Sequence, residues 1–233
     1  MNAISKQTDS ESASQIRLYS GPLSMFGAKA QIAMLEKGLP FELVMVPFDM
    51  ARLYEPKHPE VLRVNPKRQV PVLIHAAVEI FDSTQIFEYL EDLAPLPRLW
   101  PAEREARALA RLTELQSDEV YFPHIIRLMG LQDRPDDPVA VAARNAASAF
   151  YVRMEARIGR PGYLAGAYSF ADIAFFMAQF FGDRMGVPIG PHFLALTDWR
   201  ARVASRPSVS AVLAPMVAFL KSQGRKVPAW VPV

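Results

Sequence analysis

The chain contains no cysteine. That absence excludes a disulfide framework, a thiolate metal site and any protein thiol as nucleophile or redox centre. Thiol exchange of the glutaredoxin kind, which runs through a protein cysteine, is excluded with it, so any thiol chemistry needs a sulfur brought by a ligand. Charge of one sign is also lacking. With 26 basic against 24 acidic residues the net charge is +2, which offers no bulk field for a polyanion, and nucleic acid is not an expected partner. No window approaches the roughly 18 consecutive apolar residues of a membrane span. The opening MNAISKQTDSESASQ is polar and has no signal-peptide core, so the reading is a soluble, cytoplasmic chain with no membrane partner. Four histidines (His58, His75, His124, His192) are scattered without ligand spacing, and no metal is expected. Internal repeats, low-complexity tracts, a Walker loop and GxGxxG are all missing.

What remains is 233 residues, 51% of them apolar, enough for one large or two modest cores. Ile16 to Ser20 alternates as a half-buried strand. Phe26, Ala30, Ala33 and Met34 mark a helix from Met25 to Lys37 that Gly38 closes, and Phe41 to Val46 reads as a second strand, making a βαβ unit with a parallel pair. A partly helical stretch runs to Val64. VPVLIH and VEIF then form a hairpin by length, though Ala76 and Ala77 lack favoured turn chemistry, and a helix follows from Ser83 to Leu93. After the proline-punctuated APLPRLWP only helical patterns appear, near 103–129, 139–158, 170–181, 193–205 and 209–222. The expected organisation is a tail over 1–14, an α/β domain of βαβ-α-ββα order over 15–93, a linker over 94–102, an all-α domain over 103–225 and a C-terminal tail over 226–233. Ser169 and Asp172 carry the S-x-x-D spacing of a capping box ahead of a very apolar helix, and Asp172 is read as structural.

Pro71 stands inside RQVPVLI, a stretch otherwise suited to a buried strand. Proline lacks an amide hydrogen and cannot complete a central ladder. Taken alone it permits two readings: a trans proline opening an edge strand, or a cis Val70–Pro71 bond whose turn leaves the main chain of Val70 available to an extended peptide.

Four motifs in order, LYSGPLSMFGAKAQIAMLEKGLPFE, NPKRQVPVL, FDSTQIFEYL and GYLAGAYSFADIAFF, resemble the cytosolic glutathione S-transferases, of bacterial type and with the serine position of phi-like classes. The resemblance covers nearly all the chain beyond the tail. It implies a thioredoxin-like N-terminal domain, an all-helical C-terminal domain, a homodimer, and glutathione as cosubstrate with a small, partly apolar electrophile or a peroxide as acceptor. Isomerisation or reductive ether cleavage with glutathione as cofactor is compatible with it. A non-catalytic ligand carrier or assembly domain of the same fold is the alternative.

The resemblance also implies site residues. Ser24, in GPLS-x-F, would aim its hydroxyl at the glutathione sulfur; an ordinary thiol near pKa 8.5 is only about 3% thiolate at pH 7. The same serine can simply cap the helix, and Ser20 is within reach as a substitute. Val70, beside Pro71, would pair through its backbone with the ligand's cysteine. Ser83 and the helix amides would take the γ-glutamyl carboxylate, and Asp82 the ammonium, although Asp82 and Gln85 also fit a D-x-x-Q capping box. Gln69 and Lys57, with His58 in reserve, are candidates for the glycine carboxylate. Two departures stand out: Met25 where many relatives have proline, and Arg68 where many have glycine. The second substrate is expected between the domains against Phe26, Tyr121, Phe122, His124 and Met129, with Pro123 kinking the helix.

Overall fold

The computed structural model describes residues 15–158 and 162–231; the expected tail over 1–14 and the last two positions of the 226–233 segment lie outside them. The chain divides into two compact units at Pro97/Arg98.

The first unit runs β1 (Ile16–Ser20), α1 (Met25–Glu36), β2 (Phe41–Met45), α2 (Pro59–Val64), β3 (Val72–His75), β4 (Val78–Phe81) and α3 (Ser83–Leu93). The sheet order is β2-β1-β3-β4. β1 and β2 are parallel, whereas β1/β3 and β3/β4 are antiparallel. This is the expected thioredoxin-like mixed sheet. Alternation assigns its faces: Tyr19, Val72 and Ile74 pack with Val46 and Val61, while Leu18 and Leu73, paired across the sheet, are fully buried on the opposite side. α1 is buried around most of its circumference from Met25 to Met34, the polar Lys29 and Gln31 included. α3 buries Ser83, Ile86, Phe87 and Leu90, an i, i+3, i+4, i+7 stripe. β3 begins at Val72, two residues later than the apolar run suggests, because Pro71 cannot join the ladder. The hairpin turn places Ala76 at φ 53°, a left-handed conformation that glycine or asparagine adopts at lower cost. At the end of α1, Lys37 pairs with Glu91 at 2.5 Å and donates to the carbonyls of Ala94 and Pro97 at 2.7 and 3.1 Å, which ties down the chain leaving α3.

The second unit contains α4 (Arg104–Gln116), a π-helical turn (Ser117–Tyr121), α5 (Phe122–Met129), α6 (Pro138–Arg157), α7 (Phe170–Arg184), α8 (Leu194–Ala204) and α9 (Pro207–Ser222). The single helix expected over 103–129 is therefore interrupted. Pro123 has no amide hydrogen and its ring would strike the carbonyl four residues back. The turn widens just before it, and the Phe122 amide donates five residues back to the Ser117 carbonyl. α7 is buried from Phe170 through Asp183, the central position its sequence predicts. The capping box forms as expected, with Asp172 structural. Beyond α9 the segment expected as a tail docks through Trp230, whose indole donates to Asp183 at 3.0 Å and packs edge-on to Phe176. Among the described residues no single helix is long and apolar enough to cross a membrane.

Candidate functional site

Strand register gathers the site. Tyr19 pairs with Val72 and Val72 with Phe81, so the exit of β1, the entrance of β3 and the exit of β4 share one end of the sheet. Ser20 pairs with Met45, and the Val46 amide donates to the Ser20 carbonyl at 2.7 Å. The segment after β2 therefore leaves from that end too. Ser24 follows β1, Val70 precedes β3, Asp82 follows β4, and Lys57 and His58 close the 46–58 segment.

Ser24 is the N-cap of α1: its Oγ accepts from the Gly27 amide at 2.9 Å. The cap uses a lone pair, and among the described residues no acceptor takes its hydroxyl hydrogen. Capping and donation to a ligand are thus compatible on one oxygen. Ser20 is a different case. It is fully buried and accepts from Gln31 Nε2 at 3.0 Å. A methyl group on Gly27 would fall 2.0 Å from its Oγ, so this glycine is required by close approach.

The Val70–Pro71 bond is cis. Val70 lies outside the ladder, and among the described residues no hydrogen bond engages its main chain. A frame built by Asn65, which is 3% exposed, holds the approach. Its Nδ2 donates to the Gln69 carbonyl at 2.6 Å, its Oδ1 accepts from the Lys67 amide at 2.9 Å, and its carbonyl accepts from the Arg68 amide at 2.8 Å. Arg68 sits at φ 58°, the left-handed region where a non-glycine residue costs about 1–2 kcal/mol. Glycine would adopt this conformation at lower cost. Gln69 itself is exposed.

Asp82 has φ 77° and ψ 130°, a sparsely populated conformation of the kind that surrounding structure must enforce. Its Oδ1 accepts from the Thr84 and Gln85 amides at 3.0 and 3.3 Å, so half of the D-x-x-Q box forms. Ser83, 2% exposed, opens α3 beside it. Lys57 approaches Glu55 at 3.3 Å and lies 5.9 Å over the Tyr54 ring. His58 caps α2, its Nδ1 accepting from the Glu60 amide at 3.2 Å, with its ring 5.0 Å from that of Tyr19. Tyr19 is core, and burial raises its pKa.

Sequence reasoning missed Asn65 and Tyr54. The Asn-Pro dipeptide, a common turn former, signals the first. Tyr54 lies in an aperiodic stretch that gives no such signal.

The residues expected to line a second-substrate wall fall in both units, Phe26 in the first and Tyr121, Phe122 and His124 in the second. Phe26, half-buried on α1, has the Lys29 ammonium 5.6 Å from its ring centroid. His124, half-buried on α5, faces Arg127 Nη1 at 3.3 Å, and burial followed by the Arg127 charge lowers its pKa. It borders a groove of about 450 Å³ that Arg127, Pro138, Val139 and Ala142 also line. Tyr121 and Phe122 both pack into the helical core. Tyr121 is fully buried, with its hydroxyl 2.7 Å from that of Tyr151, which donates onward to the Val187 carbonyl at 2.6 Å. Phe122 is 5% exposed and meets Phe181 edge-on. Tyr121→Phe is therefore expected to lower stability by about 1–2 kcal/mol, read as a urea midpoint. The KM for any acceptor should stay at the wild-type value; a changed KM would return Tyr121 to the site.

Residues 18–98 match the family described as glutathione S-transferase, N-terminal domain, and residues 118–207 match glutathione S-transferase, C-terminal domain. A probable glutathione S-transferase, GSTU1, from Oryza sativa subsp. japonica is 33% identical over 180 residues, which span 70% of this chain and 74% of that protein. Glutathione S-transferase 1 from Dianthus caryophyllus is 38% identical over 102 residues, 43% of this chain and 44% of the relative, so this match spans less than half of its length. A solved glutathione S-transferase from Methylobacterium radiotolerans, in complex with glutathione sulfonate, superposes with a TM-score of 0.72 at 26% identity, covering 85% of this chain and 94% of that one.

Proposed function

Because the chain belongs to the glutathione S-transferase family, we propose that it binds glutathione at the sheet end described above and activates its thiol for attack on a small, partly apolar electrophile or a peroxide. The observation that carries this reading is the Tyr19–Val72–Phe81 register. It brings to one end of the sheet a capping serine whose hydroxyl hydrogen has no acceptor among the described residues, a Val70 main chain with no partner among them, and an acid-serine pair at a helix start.

The cysteine of the ligand pairs with the Val70 main chain as an added strand would. Its γ-glutamyl carboxylate lies at the α3 N-terminus beside Ser83, where the helix dipole favours an anion, and its ammonium faces Asp82. Gln69 and Lys57 supply the polar end for the glycine carboxylate. Ser24 donates its hydroxyl hydrogen to the sulfur, which favours thiolate over thiol; the burial of Ser20 supports Ser24 over Ser20 for this role. Thiolate attack forms a sulfur–carbon bond as the leaving group departs with the bonding electrons, or adds across an activated double bond. With a peroxide it forms a sulfur–oxygen bond and breaks the O–O bond.

Titration with glutathione, followed by a panel of electrophiles and peroxides, tests the proposal. Binding with turnover of at least one acceptor supports it. Binding with no turnover across the panel would favour the carrier reading. For Asp82→Ala, about 2- to 5-fold weaker glutathione binding by calorimetry is expected from losing an exposed ammonium partner; unchanged affinity would leave Asp82 as a helix cap only.

The proposal extends to a homodimer. Leu109, Leu112 and Leu115 of α4 are 50%, 43% and 53% exposed, an apolar cluster that a second copy would cover. Light scattering should give twice the 26.0 kDa chain mass, and Leu112→Glu should reduce it to one.

A further inference from the structure

Tyr54 is given no contact with glutathione in the proposal above, yet its placement is specific. From the segment after β2 its ring reaches back to the turn that leaves β1. A methyl group on Gly21 would fall 2.2 Å from Tyr54 Cε1 and 2.5 Å from its hydroxyl oxygen, so the ring fits only because residue 21 is glycine. Phe48 holds the ring edge-on at 4.8 Å, Lys57 lies over one face, and the ring packs against the Tyr19–Val72 cluster.

The hydroxyl is buried. The Leu23 amide faces it without completing hydrogen-bond geometry, and desolvation pushes the phenol pKa up, keeping it neutral. The turn it touches is short and closed, the Ser24 amide donating to the Gly21 carbonyl at 3.1 Å. One residue past Leu23 stands the Ser24 hydroxyl.

We infer that Tyr54 is a positioning residue for Ser24: its ring and hydroxyl brace the Gly21–Ser24 turn and so fix the direction in which the Ser24 hydroxyl points. This rests on the reading that Ser24 activates a bound thiol. It explains why Gly21 and Tyr54, 33 positions apart in the sequence, act as one unit, and it gives the irregular 46–58 segment a function beyond joining β2 to α2.

The test measures two quantities on wild type, Tyr54→Phe, Tyr54→Leu and Gly21→Ala. One is the affinity for S-methylglutathione, which reports the peptide site without a titrating thiol. The other is the pKa of bound glutathione from its ultraviolet thiolate absorbance. In Tyr54→Phe the bound thiol should titrate about half a unit to one unit higher, which cuts thiolate about 3- to 10-fold below that pKa, with S-methylglutathione affinity within about twofold. Tyr54→Leu and Gly21→Ala should shift it further. Their combination should cost less than the sum of the two, because both disturb one contact. A wild-type thiol pKa in all Tyr54 variants overturns the inference, as does a loss confined to S-methylglutathione affinity. Wild-type protein that binds neither ligand overturns the proposed function, and this inference with it.

Discussion

Ser24→Ala is expected to reduce conjugation at pH 7 by about 10- to 100-fold in kcat/KM while glutathione affinity changes little. The magnitude follows from one hydrogen bond. A bond to a charged acceptor contributes about 1.5–3 kcal/mol, or one to two pKa units when made only to the thiolate. The sign is fixed by the same argument. With Ser24 present the bound thiol is depressed below its free value and thiolate persists toward lower pH. Without it the thiol titrates near its free value, so the deficit is largest below about pH 7 and closes above about pH 9. Ser24 is also the cap of α1, and the alanine variant should lose about 1 kcal/mol of stability. Ser24→Gly separates the two roles: glycine at an N-cap costs only a few tenths of a kcal/mol relative to serine. It should leave the melting temperature near wild type and the activity as low as in alanine. A stable glycine variant with wild-type turnover at pH 7 would remove Ser24 from the chemistry.

Much of the fold is legible in the sequence because burial is periodic. β1, α1 and α3 begin where alternation, a 3.6-residue repeat and a capping residue coincide. Legibility fails where a residue acts at a distance along the chain. Pro123 shows as a kink in the sequence, but the turn that widens lies before it, over Ser117–Tyr121. Tyr121 and Phe122 show the same difficulty differently: two aromatics at helical spacing read equally as a ligand wall or as core. Only the hydroxyl bond to Tyr151 and the ring contact with Phe181 separate these cases.

The site divides along similar lines. Ser24, Pro71 and Asp82–Ser83 are visible in the sequence as a helix cap, a proline in a strand and an acid ahead of a helix, but their proposed roles come from the family resemblance, since Ser and Asp are ordinary N-caps. Asn65 and Tyr54 carry their roles through contacts four and 33 positions away, which no local pattern encodes. Arg68 lies between these cases. Its departure from glycine is visible in the sequence, but the positive φ of 58° belongs to the backbone.

Asp172 carries the largest expected effect on stability. Its carboxylate is fully buried and receives four donors: the Leu164 amide at 2.9 Å, the Ser169 amide at 2.9 Å, the Ser169 hydroxyl at 3.1 Å and Trp199 Nε1 at 2.8 Å. One side chain thereby joins the loop before α7, the first turn of α7 and the middle of α8. Asp172→Ala strands several of these donors away from water at about 1–3 kcal/mol each, partly relieved by local relaxation. A net loss of about 3–4 kcal/mol at pH 7 is expected, with catalytic constants per folded molecule unchanged. Asp172→Asn should recover part of it: the amide oxygen still accepts from Leu164 and Trp199, but its NH2 group meets the Ser169 amide donor to donor. Burial raises the Asp172 pKa to about 6, against the pull of the four donors. Because the native state then holds this proton more tightly than the unfolded chain, the linked stability is complete below about pH 4 and declines as pH rises through 6. The gap between wild type and either variant should therefore widen by about 1–3 kcal/mol from pH 7 to pH 4. Urea unfolding at both pH values reads it directly, and a gap that narrows in acid would mean the donors, not burial, set the titration of Asp172.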